Sequence, residues 1–560
     1  MENKLNTDVE ETNDIEGTNS IEADAEKISE KTVGYDDDKP FYERDEEKYK
    51  SFYERDDEKS ALRFKVLGIP TIIYSIVYGI CLYKNLTGIM TPIFTIATVV
   101  YLWFVLPGLS GDMTLGKEKR KKLIPYFTGI ILLGISVFMT SDMFLIFWNY
   151  VGIILLTMTA LIRFFCDEAG WGVGKYILAM LEVALVPLFH FHMFFSDRKS
   201  CKTPGKNKIK INKNVKYVII GIIVAIPFLI VVTFLLACAD VIFYIVVDGV
   251  FDRLFNSFHI SWDAVGFIIL ILCVLLLVYG LMCRLSACGA AEYELPDKKC
   301  NPVTGITFCG ALTAVYLLFS CIQILSLFMG ERMLPEYHSY SSYAREGFYQ
   351  LLYVAALNFF IVLVCNSIFT KHRVLKIVLT IMCGCTYIMI ASSAIRLLMY
   401  VKKYNLTYLR ALAFFALLLI AALLAGVIAS IHKHDFKLMR YFIAVTSVLY
   451  IALSFAHPDY IIAKYNISKM DLNAVQSCDF DLKYLASNMS CDAAPTIYAF
   501  AEEAEKSGTF KGEVSENTKY DMYFQLYFHD IAYEYDKHDG IREFNLSWYR
   551  AYLCAKRYRN

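Results

Sequence analysis

Residues 391–410 read ASSAIRLLMYVKKYNLTYLR, and this stretch carries the main features of the whole chain. It begins inside an apolar run, contains Arg396 before that run ends, leaves through Lys402 and Lys403, and enters the next apolar run at Arg410. An arginine at membrane depth costs from about 3 to more than 10 kcal/mol unless it is paired or hydrated, so it marks a functional or structural anchor. The stretch therefore predicts two membrane-spanning helices joined by a short polar turn.

The composition excludes an ordinary soluble protein. Of the 560 residues, 56% are hydrophobic, and the mean hydropathy is +0.43, whereas soluble domains contain about 45–50% apolar residues. The formal net charge is zero, so no overall field favours nucleic acid as a partner. Most of the 16 cysteines lie in apolar runs, where they act as small hydrophobic side chains rather than as a disulfide framework.

The apolar runs predict about 11 membrane spans, because a helix needs about 20 apolar residues to cross a bilayer. The predicted spans lie near residues 66–83, 88–106, 123–140, 143–162, 217–239, 264–283, 304–329, 347–369, 375–399, 410–431 and 441–456. A further run, 174–195, contains Lys175, Glu182, His190 and His192, which is too polar for a helix that faces lipid. We expect it to lie at the cytoplasmic interface or to re-enter the membrane from that side.

The loop charges predict the orientation, because lysine and arginine concentrate in cytoplasmic loops. Loops 107–122 and 196–216 are both strongly basic, so an even number of spans must separate them. This parity supports a run 174–195 that does not cross. The acidic linker 240–263 is expected outside the cell membrane, which places the N-terminus in the cytoplasm and the C-terminus outside.

Together these patterns predict an all-α fold. It consists of a polytopic membrane helix bundle of about 11 spans with a small extracytoplasmic all-helical C-terminal domain. The expected domains are a disordered acidic cytoplasmic tail (1–62), a transmembrane helical domain (63–456) and an extracytoplasmic helical domain (457–560). In the last domain, Cys478 and Cys491 either form a disulfide or remain two buried thiols.

The acidic tail contains an imperfect repeat. FYERDEEK at 41–48 recurs as FYERDDEK at 52–59, and a period of eleven residues is close to three helical turns. The repeat is either a docking helix for a cytoplasmic protein partner or a duplicated segment of a disordered tail.

Several short motifs resemble a known family. They are Ala239-Asp240-x-x-Phe243, YAREGF at 343–348, Arg396-Leu397 with Tyr400, Tyr404-x-Leu-Thr407, Leu409-Arg410, Pro458-Asp459, AKYN at 463–466 and DAAP at 492–495. They resemble an uncharacterised family of bacterial multi-pass membrane proteins, a domain of unknown function of the DUF4153/DUF4173 type. The resemblance covers roughly residues 217–550. Asn405 stands where the family pattern has Gly, and His457 where it has Asn. The resemblance implies a fold and a membrane location but no reaction.

One set of residues is predicted to gather near the outer leaflet at the ends of five spans: Asp240, Arg345, Glu346, Arg396, Tyr400, Arg410 and Asp459. One interpretation is a pocket for an anionic headgroup or peptide, since the guanidinium fork suits phosphate and carboxylate. The other is a structural staple of Arg–carboxylate pairs beneath the C-terminal domain. The staple is the preferred hypothesis, with Asp240, Glu346 or Asp459 as the partner of Arg396.

The sequence predicts no metal site and no cofactor. His190 and His192 stand two residues apart and face different sides of a helix, and Cys283, Cys288 and Cys300 lack the spacing of a zinc site. A phosphate-binding loop or a nucleophile elbow is not recognisable either, so the sequence leaves open whether the protein is an enzyme.

Three classes of function follow. The first is a membrane receptor or scaffold, which the separate outer domain and the acidic tail favour. The alternative is a transporter or lipid-handling protein, and the third is a membrane-embedded enzyme on a lipid-linked substrate. The expected partners are membrane lipid, an anionic ligand at the outer face and a cytoplasmic protein that binds the tail.

Overall fold

The computed structural model describes residues 57–110, 113–168, 171–202, 261–288, 300–329, 340–433, 435–470, 475–507, 514–537 and 540–559, with isolated positions between 221 and 249. Most of the predicted tail, most of its repeat and most of the predicted span at 217–239 lie outside these residues. In the part that is described, the regular elements are eighteen α-helices and two 3-10 turns. The predicted all-α polytopic bundle is confirmed.

Thirteen helices form the membrane part of the described chain. They are α1 (Asp57–Leu82), α2 (Met90–Leu109), α3 (Met113–Lys121), α4 (Ile124–Met139), α5 (Met143–Phe165), α6 (Val173–Phe189), α7 (Met193–Lys202), α8 (Trp262–Cys288), α9 (Pro302–Met329), α10 (Tyr340–Ile368), α11 (Arg373–Tyr404), α12 (Tyr408–His432) and α13 (Leu438–Phe455). Nine of the described helices are long and apolar enough to cross a membrane: α1, α2, α5 and α8 to α13. The chain is therefore a multi-pass membrane protein.

The other four helices form two bent pairs. Helices α3 and α4 meet at 54°, and α6 and α7 meet at 64°. The predicted span at 123–140 is thus the longer half of a bent pair rather than a straight helix. If each pair counts as one span, the described residues contain up to 11 spans.

The C-terminal helices pack on one end of the bundle and are called here the C-terminal layer. They are α14 (Pro458–Ile467), α15 (Val475–Asn488), α16 (Ala494–Ser507), α17 (Val514–Lys537) and α18 (Leu546–Arg559), with 3-10 turns at Cys491–Ala493 and Ile541–Glu543. Their apolar faces share one core, which includes Leu485, Ile497 and Phe528. We call the end of the bundle that carries the layer the capped end, and the other the uncapped end.

Polar contacts tie the layer to the loops at the capped end. The Asn545 amide donates hydrogen bonds to the carbonyls of Thr87, Val137 and Thr140 at 2.8, 3.1 and 3.0 Å. The Asn466 side chain likewise exchanges two hydrogen bonds of 2.9 Å with the backbone of Leu406. Since one side chain satisfies loops from different helix pairs, the layer holds those loops in a single arrangement.

Three ion pairs place α6 and α7 at the uncapped end. Glu168 lies 2.7 Å from Arg440 at the start of α13. Glu182 on α6 lies 3.5 Å from Arg284 near the end of α8. Asp197 on α7 lies 3.1 Å from Arg63 near the start of α1. All three arginines lie at the uncapped end of the bundle, at the start of α1 and α13 and near the end of α8. The contacts therefore support a segment that re-enters rather than crosses.

Candidate functional site

Among the residues predicted to cluster near the outer leaflet, those whose side chains the structure describes lie in separate places. Asp240 is exposed and accepts hydrogen bonds from the backbone N–H groups of Ile242 and Phe243 at 2.7 and 3.3 Å, as a helix-capping aspartate does. Arg345 and Glu346 belong to α10, but their side chains lie outside the described residues. The predicted pairing of Arg396 with Glu346 therefore stays a prediction.

Arg396 lies inside the bundle and is only 6% exposed. Its Nη2 donates to Oε1 of Gln323 on α9 at 3.0 Å, and the Ser392 hydroxyl donates to the same oxygen at 2.7 Å. A Cβ at Gly347 would lie 2.1 Å from Nη1 of Arg396, so this glycine makes room for the guanidinium. Neither Asp240 nor Asp459 forms an ion pair with Arg396 among the contacts of the described residues.

Arg410 and Tyr400 do meet, at the turn between α11 and α12. Arg410 Nη1 donates to the carbonyl of Tyr404 at 2.6 Å and also to that of Asn405. Its guanidinium carbon lies 4.2 Å from the centroid of the Tyr400 ring. Arg410 thus satisfies carbonyls at the C-terminus of α11, where a cation is favoured by the helix dipole.

Asp459 belongs to a different group, in which the structure brings together three carboxylates. We call this group the carboxylate junction and define it by Asp142, Asp459 and Asp492 with His457 and Tyr408. Asp142 precedes α5, Tyr408 begins α12, and the other three belong to the chain that enters the layer. All three aspartates are at most 9% exposed. The junction therefore lies buried where the layer meets the bundle.

Asp492 is the best-satisfied carboxylate of the junction. Its Oδ1 accepts from the backbone N–H and hydroxyl of Ser141 at 2.9 and 3.1 Å and from the Ser547 hydroxyl. Its Oδ2 accepts from the Thr140 hydroxyl at 2.6 Å and from His457 Nδ1 at 3.0 Å. Burial opposes ionisation, but the hydrogen bonds from His457, Ser547 and Thr140 hold the pKa of Asp492 below its ordinary value. Asp492 is therefore an ionised anchor.

Asp142 joins two membrane helices. Its Oδ1 accepts from the backbone N–H groups of Phe144 and Leu145, which caps α5, and its Oδ2 accepts from the Tyr408 hydroxyl at 2.5 Å. Burial raises the pKa of Asp142 above its ordinary value in spite of these hydrogen bonds. The rings of Phe144 and Tyr408 also meet edge to face at 5.6 Å. The capped ends of α5 and α12 are therefore held together.

Asp459 is the least satisfied carboxylate of the three. Its Oδ2 accepts from the backbone N–H of Ser490 at 2.9 Å. The Ser490 hydroxyl is also close enough to favour the charged form, but no hydrogen bond of normal geometry reaches Oδ1 among the described residues. Burial, together with the nearby charges of Asp142 and Asp492, raises the pKa of Asp459 to about 6. This carboxyl group can therefore change its charge near neutral pH.

The backbone at the junction also has an uncommon conformation. His457 has φ 48°, in the left-handed region, and Asn405 in the turn beside Arg410 has φ 61°. Asn and His are among the residues that tolerate positive φ best after Gly. The two departures from the family pattern noted above fall at these two positions, so both replacements keep a residue that suits a positive φ.

A second feature, which we call the lateral cleft, lies among the membrane spans. It is a cavity of about 610 Å³ between α5, α12 and α13. Apolar side chains dominate its lining, with a few hydroxyls from Thr159, Thr446, Ser447 and Tyr450. Lining residues extend along α13 from Met439 to Leu453, which corresponds to about 21 Å of helix. The cleft thus follows most of the depth of one membrane helix.

A closed polar network supports the wall of the cleft near the capped end. Tyr450 and Ser454 both donate to Asn149 Oδ1 at 2.9 Å, and the Asn149 amide donates to Ser136 at 3.3 Å. Asn149, Ser136 and Ser454 are fully buried. Because a satisfied buried network fixes the helices that carry it, α4, α5 and α13 hold this wall in place.

Sequence reasoning found Asp459 but missed Asp142, Asp492 and Tyr408 as its neighbours. A local signal existed for Asp142, because it directly precedes a long apolar run and follows a Thr-Ser pair, as a capping residue does. Asp492 was noted as part of a family motif. The pairing itself had no sequence signal, since 350 positions separate Asp142 from Asp492.

The structure has Cys491 as a free, buried thiol. This agrees with the second of the two alternatives given for Cys478 and Cys491, two buried thiols rather than a disulfide.

Comparison with models of protein families gives a match over more than half of the chain. Residues 127–500 match the family described as Domain of unknown function (DUF4153). The matched region contains the lateral cleft and the three aspartates of the junction, but not Ser547. The match begins at residue 127, whereas the resemblance seen in the sequence begins near residue 217. The match also ends earlier, at residue 500 rather than near residue 550. No curated protein and no solved structure matches the chain.

Proposed function

The chain belongs to the DUF4153 family, and we propose that it is a lipid-handling membrane protein that binds an acyl chain in the lateral cleft. The observation that carries this proposal is the cleft itself, an apolar cavity of about 610 Å³ among membrane-spanning helices. Ligand pockets typically enclose about 300–1,000 Å³ and are mostly apolar, with a few polar groups. The cleft has this size and this chemistry.

Its dimensions favour an acyl chain over a helix. A helix with its side chains is about 11 Å across, whereas the cleft is a space of about 610 Å³ that follows α13 from Met439 to Leu453. An unbranched hydrocarbon chain is thinner than a helix, so it can lie along α13 without separating α5 from α12.

The location of the cleft supports the same occupant. Its lining includes Trp148 on α5, Leu412 on α12 and Ile443 on α13, all within helices that can cross the membrane. An amphiphile in the bilayer therefore has a lateral route to the cleft. The rings of Tyr408 and Phe144 close the space between α5 and α12 at the capped end. An acyl chain in the cleft would therefore end at these two rings.

The charge distribution supports the orientation in which the uncapped end faces the cytoplasm. The short helices α3 and α7 at this end carry exposed basic residues: Lys117, Lys119, Lys121, Arg198 and Lys199. Basic residues near the ends of spans favour the cytoplasmic side. We accordingly propose a cytoplasmic N-terminus and an extracytoplasmic C-terminal layer. The anionic ligand and the protein partner of the tail stay predictions.

A receptor or scaffold role is the second candidate. The observation that favours it is the contact of Asp492 with the α4–α5 loop, because its carboxylate bonds Thr140 and Ser141 directly. A change in the layer would therefore reach two membrane helices through a single carboxylate.

The cleft can be tested by filling it. Thr446→Phe places a ring in the cleft, whereas Val448→Phe adds the same ring on an exposed position of α13 that does not line it. Native mass spectrometry of both variants should show fewer retained lipids for Thr446→Phe only. Acyl chains that carry bromine should also quench the fluorescence of Trp148. The contribution of Trp148 is identified as the part of the quenching that is lost in Trp148→Phe. Equal retention in the two α13 variants, together with unquenched Trp148, would refute acyl-chain binding.

A further inference from the structure

We propose that the carboxylate junction is a proton-operated lock, in which proton uptake by Asp459 tightens the attachment of the C-terminal layer to the membrane bundle. This inference goes beyond acyl-chain binding and does not depend on it. It concerns the contact between the layer and the bundle, and its ligand is the proton.

The geometry singles out Asp459 as the carboxylate that takes the proton. Asp492 accepts five hydrogen bonds, and Asp142 accepts three. Hydrogen bonds to a carboxylate favour its charged form. Asp459 is 4% exposed, and Ser490 is the residue that supplies its hydrogen-bond donors, with none in normal geometry at Oδ1 among the described residues. A buried carboxylate with few donors and two neighbouring negative charges is the first of the three to bind a proton.

No group from the surrounding elements forms an ion pair with Asp459 among the described residues. The groups near it are Asp142 before α5, Tyr408 on α12, His457 before α14, Tyr484 on α15, Cys491 and Asp492 in the 3-10 turn, and Tyr527 on α17. Arg410 on α12, whose charge reaches Tyr484, binds the carbonyls of Tyr404 and Asn405 instead. Burial raises the pKa of Tyr484 and of Tyr527, so both rings stay neutral near pH 7. His457, the base of this junction, already bonds Asp492.

The direction of the pH effect follows from linkage. The pKa of Asp459 is about 6 in the closed junction and 3.8 for an ordinary aspartate. Between pH 3.8 and about pH 6, Asp459 carries a proton in the closed junction but not in the opened one. Attachment of the layer to the bundle therefore strengthens as pH falls through this range. The effect is fully present below about pH 4 and disappears as pH rises through about 6.

The strained backbone at His457 adds a reason for the junction to open once repulsion builds. A non-glycine residue at positive φ is strained and persists only where its surroundings hold it. Here the His457 ring is held by Asp492 at 3.0 Å. When Asp459 is ionised, three carboxylates repel one another around this strained residue. Neutralising Asp459 relieves that repulsion and leaves the Asp492–His457 contact in place.

Hydrogen–deuterium exchange of the full chain in detergent provides the test, with rates corrected for the intrinsic effect of pH. In the wild type, exchange in α14 and α16 should rise several-fold between pH 5 and pH 7.5, with a midpoint near 6. Asp459→Asn imitates the protonated carboxyl, so exchange should stay low at both pH values. Asp530→Asn, on an exposed position of α17, should behave as the wild type.

Two further measurements separate Asp459 from other groups. Infrared difference spectra between pH 5 and pH 7.5 should contain a buried carboxylic-acid band that is lost in Asp459→Asn, whether or not that variant is fully stable. His457→Asn, which suits the positive φ, should keep the midpoint near 6. If Asp459→Asn keeps the pH-dependent exchange, or if His457→Asn abolishes it while the acid band remains, the proposed lock is wrong.

Discussion

Replacing Asp492 tests the idea that one buried carboxylate attaches the C-terminal layer to the bundle. Asp492→Ala removes both oxygens that accept hydrogen bonds from Thr140, Ser141, His457 and Ser547. We expect the free energy of unfolding to fall by about 3–5 kcal/mol, the range for breaking a buried charged contact.

The magnitude follows from the donors that would lose their acceptor. The hydroxyls of Thr140 and Ser547 can rotate toward other acceptors, but the backbone N–H of Ser141 cannot, and His457 Nδ1 is fixed by its ring. Each buried donor without a partner costs about 1–3 kcal/mol. Two such donors, with partial loss at the hydroxyls, lead to about 4 kcal/mol.

A milder variant sharpens the expectation. In Asp492→Asn the amide oxygen can still accept from Ser141, while the amide NH₂ can donate to the Thr140 hydroxyl and to the other tautomer of His457. This variant loses mainly the charge. We therefore expect its free energy of unfolding to fall by about 1–2 kcal/mol, roughly the difference between a charged and a neutral hydrogen bond. We therefore expect Asp492→Ala to be the least stable, Asp492→Asn to be intermediate and the wild type to be the most stable.

The assay is reversible unfolding in mixed micelles, with Asp530→Ala as the matched control. Asp530 is exposed and lies 3.7 Å from His529 on the same helix, so its removal should change the free energy by less than 0.5 kcal/mol, as at most surface positions. If Asp492→Ala stays within about 1 kcal/mol of the wild type, the network does not attach the layer.

The remaining predictions concern Arg396 and acid pH. Gly347→Ala should destabilise by about 1–3 kcal/mol, because its Cβ would lie 2.1 Å from the Arg396 guanidinium. Gly384→Ala on α11, where a Cβ meets nothing within 4 Å, should be neutral or stabilising in the same thermal assay. In acid, the low pKa of Asp492 means that its contribution is present above the ordinary value of 3.8 and is lost as pH falls below it. The stability difference between wild type and Asp492→Asn should therefore shrink below about pH 4; an undiminished difference at pH 3 would contradict an ionised Asp492.

The sequence by itself determined the membrane architecture of this protein. Apolar runs of about 20 residues can satisfy their backbone only as helices within a bilayer, so their number and order are readable without any tertiary contact. The polar run at 174–195 was also recognisable as unusual, because Glu182 and His190 do not suit a lipid-facing helix. The structure adds that Glu182 contacts Arg284 and that the run bends into α7.

Only the tertiary structure decided which charged groups meet. Helix periodicity shows which side of a helix a residue occupies, but not which neighbouring helix lies against that side. Arg396 therefore contacts Gln323, a neutral residue of α9, rather than Asp240 or Asp459. Asp459 meets Asp142 and Asp492 because the layer folds back over the α4–α5 loop. Contacts across so many residues depend on how the whole chain packs, and no local pattern encodes them.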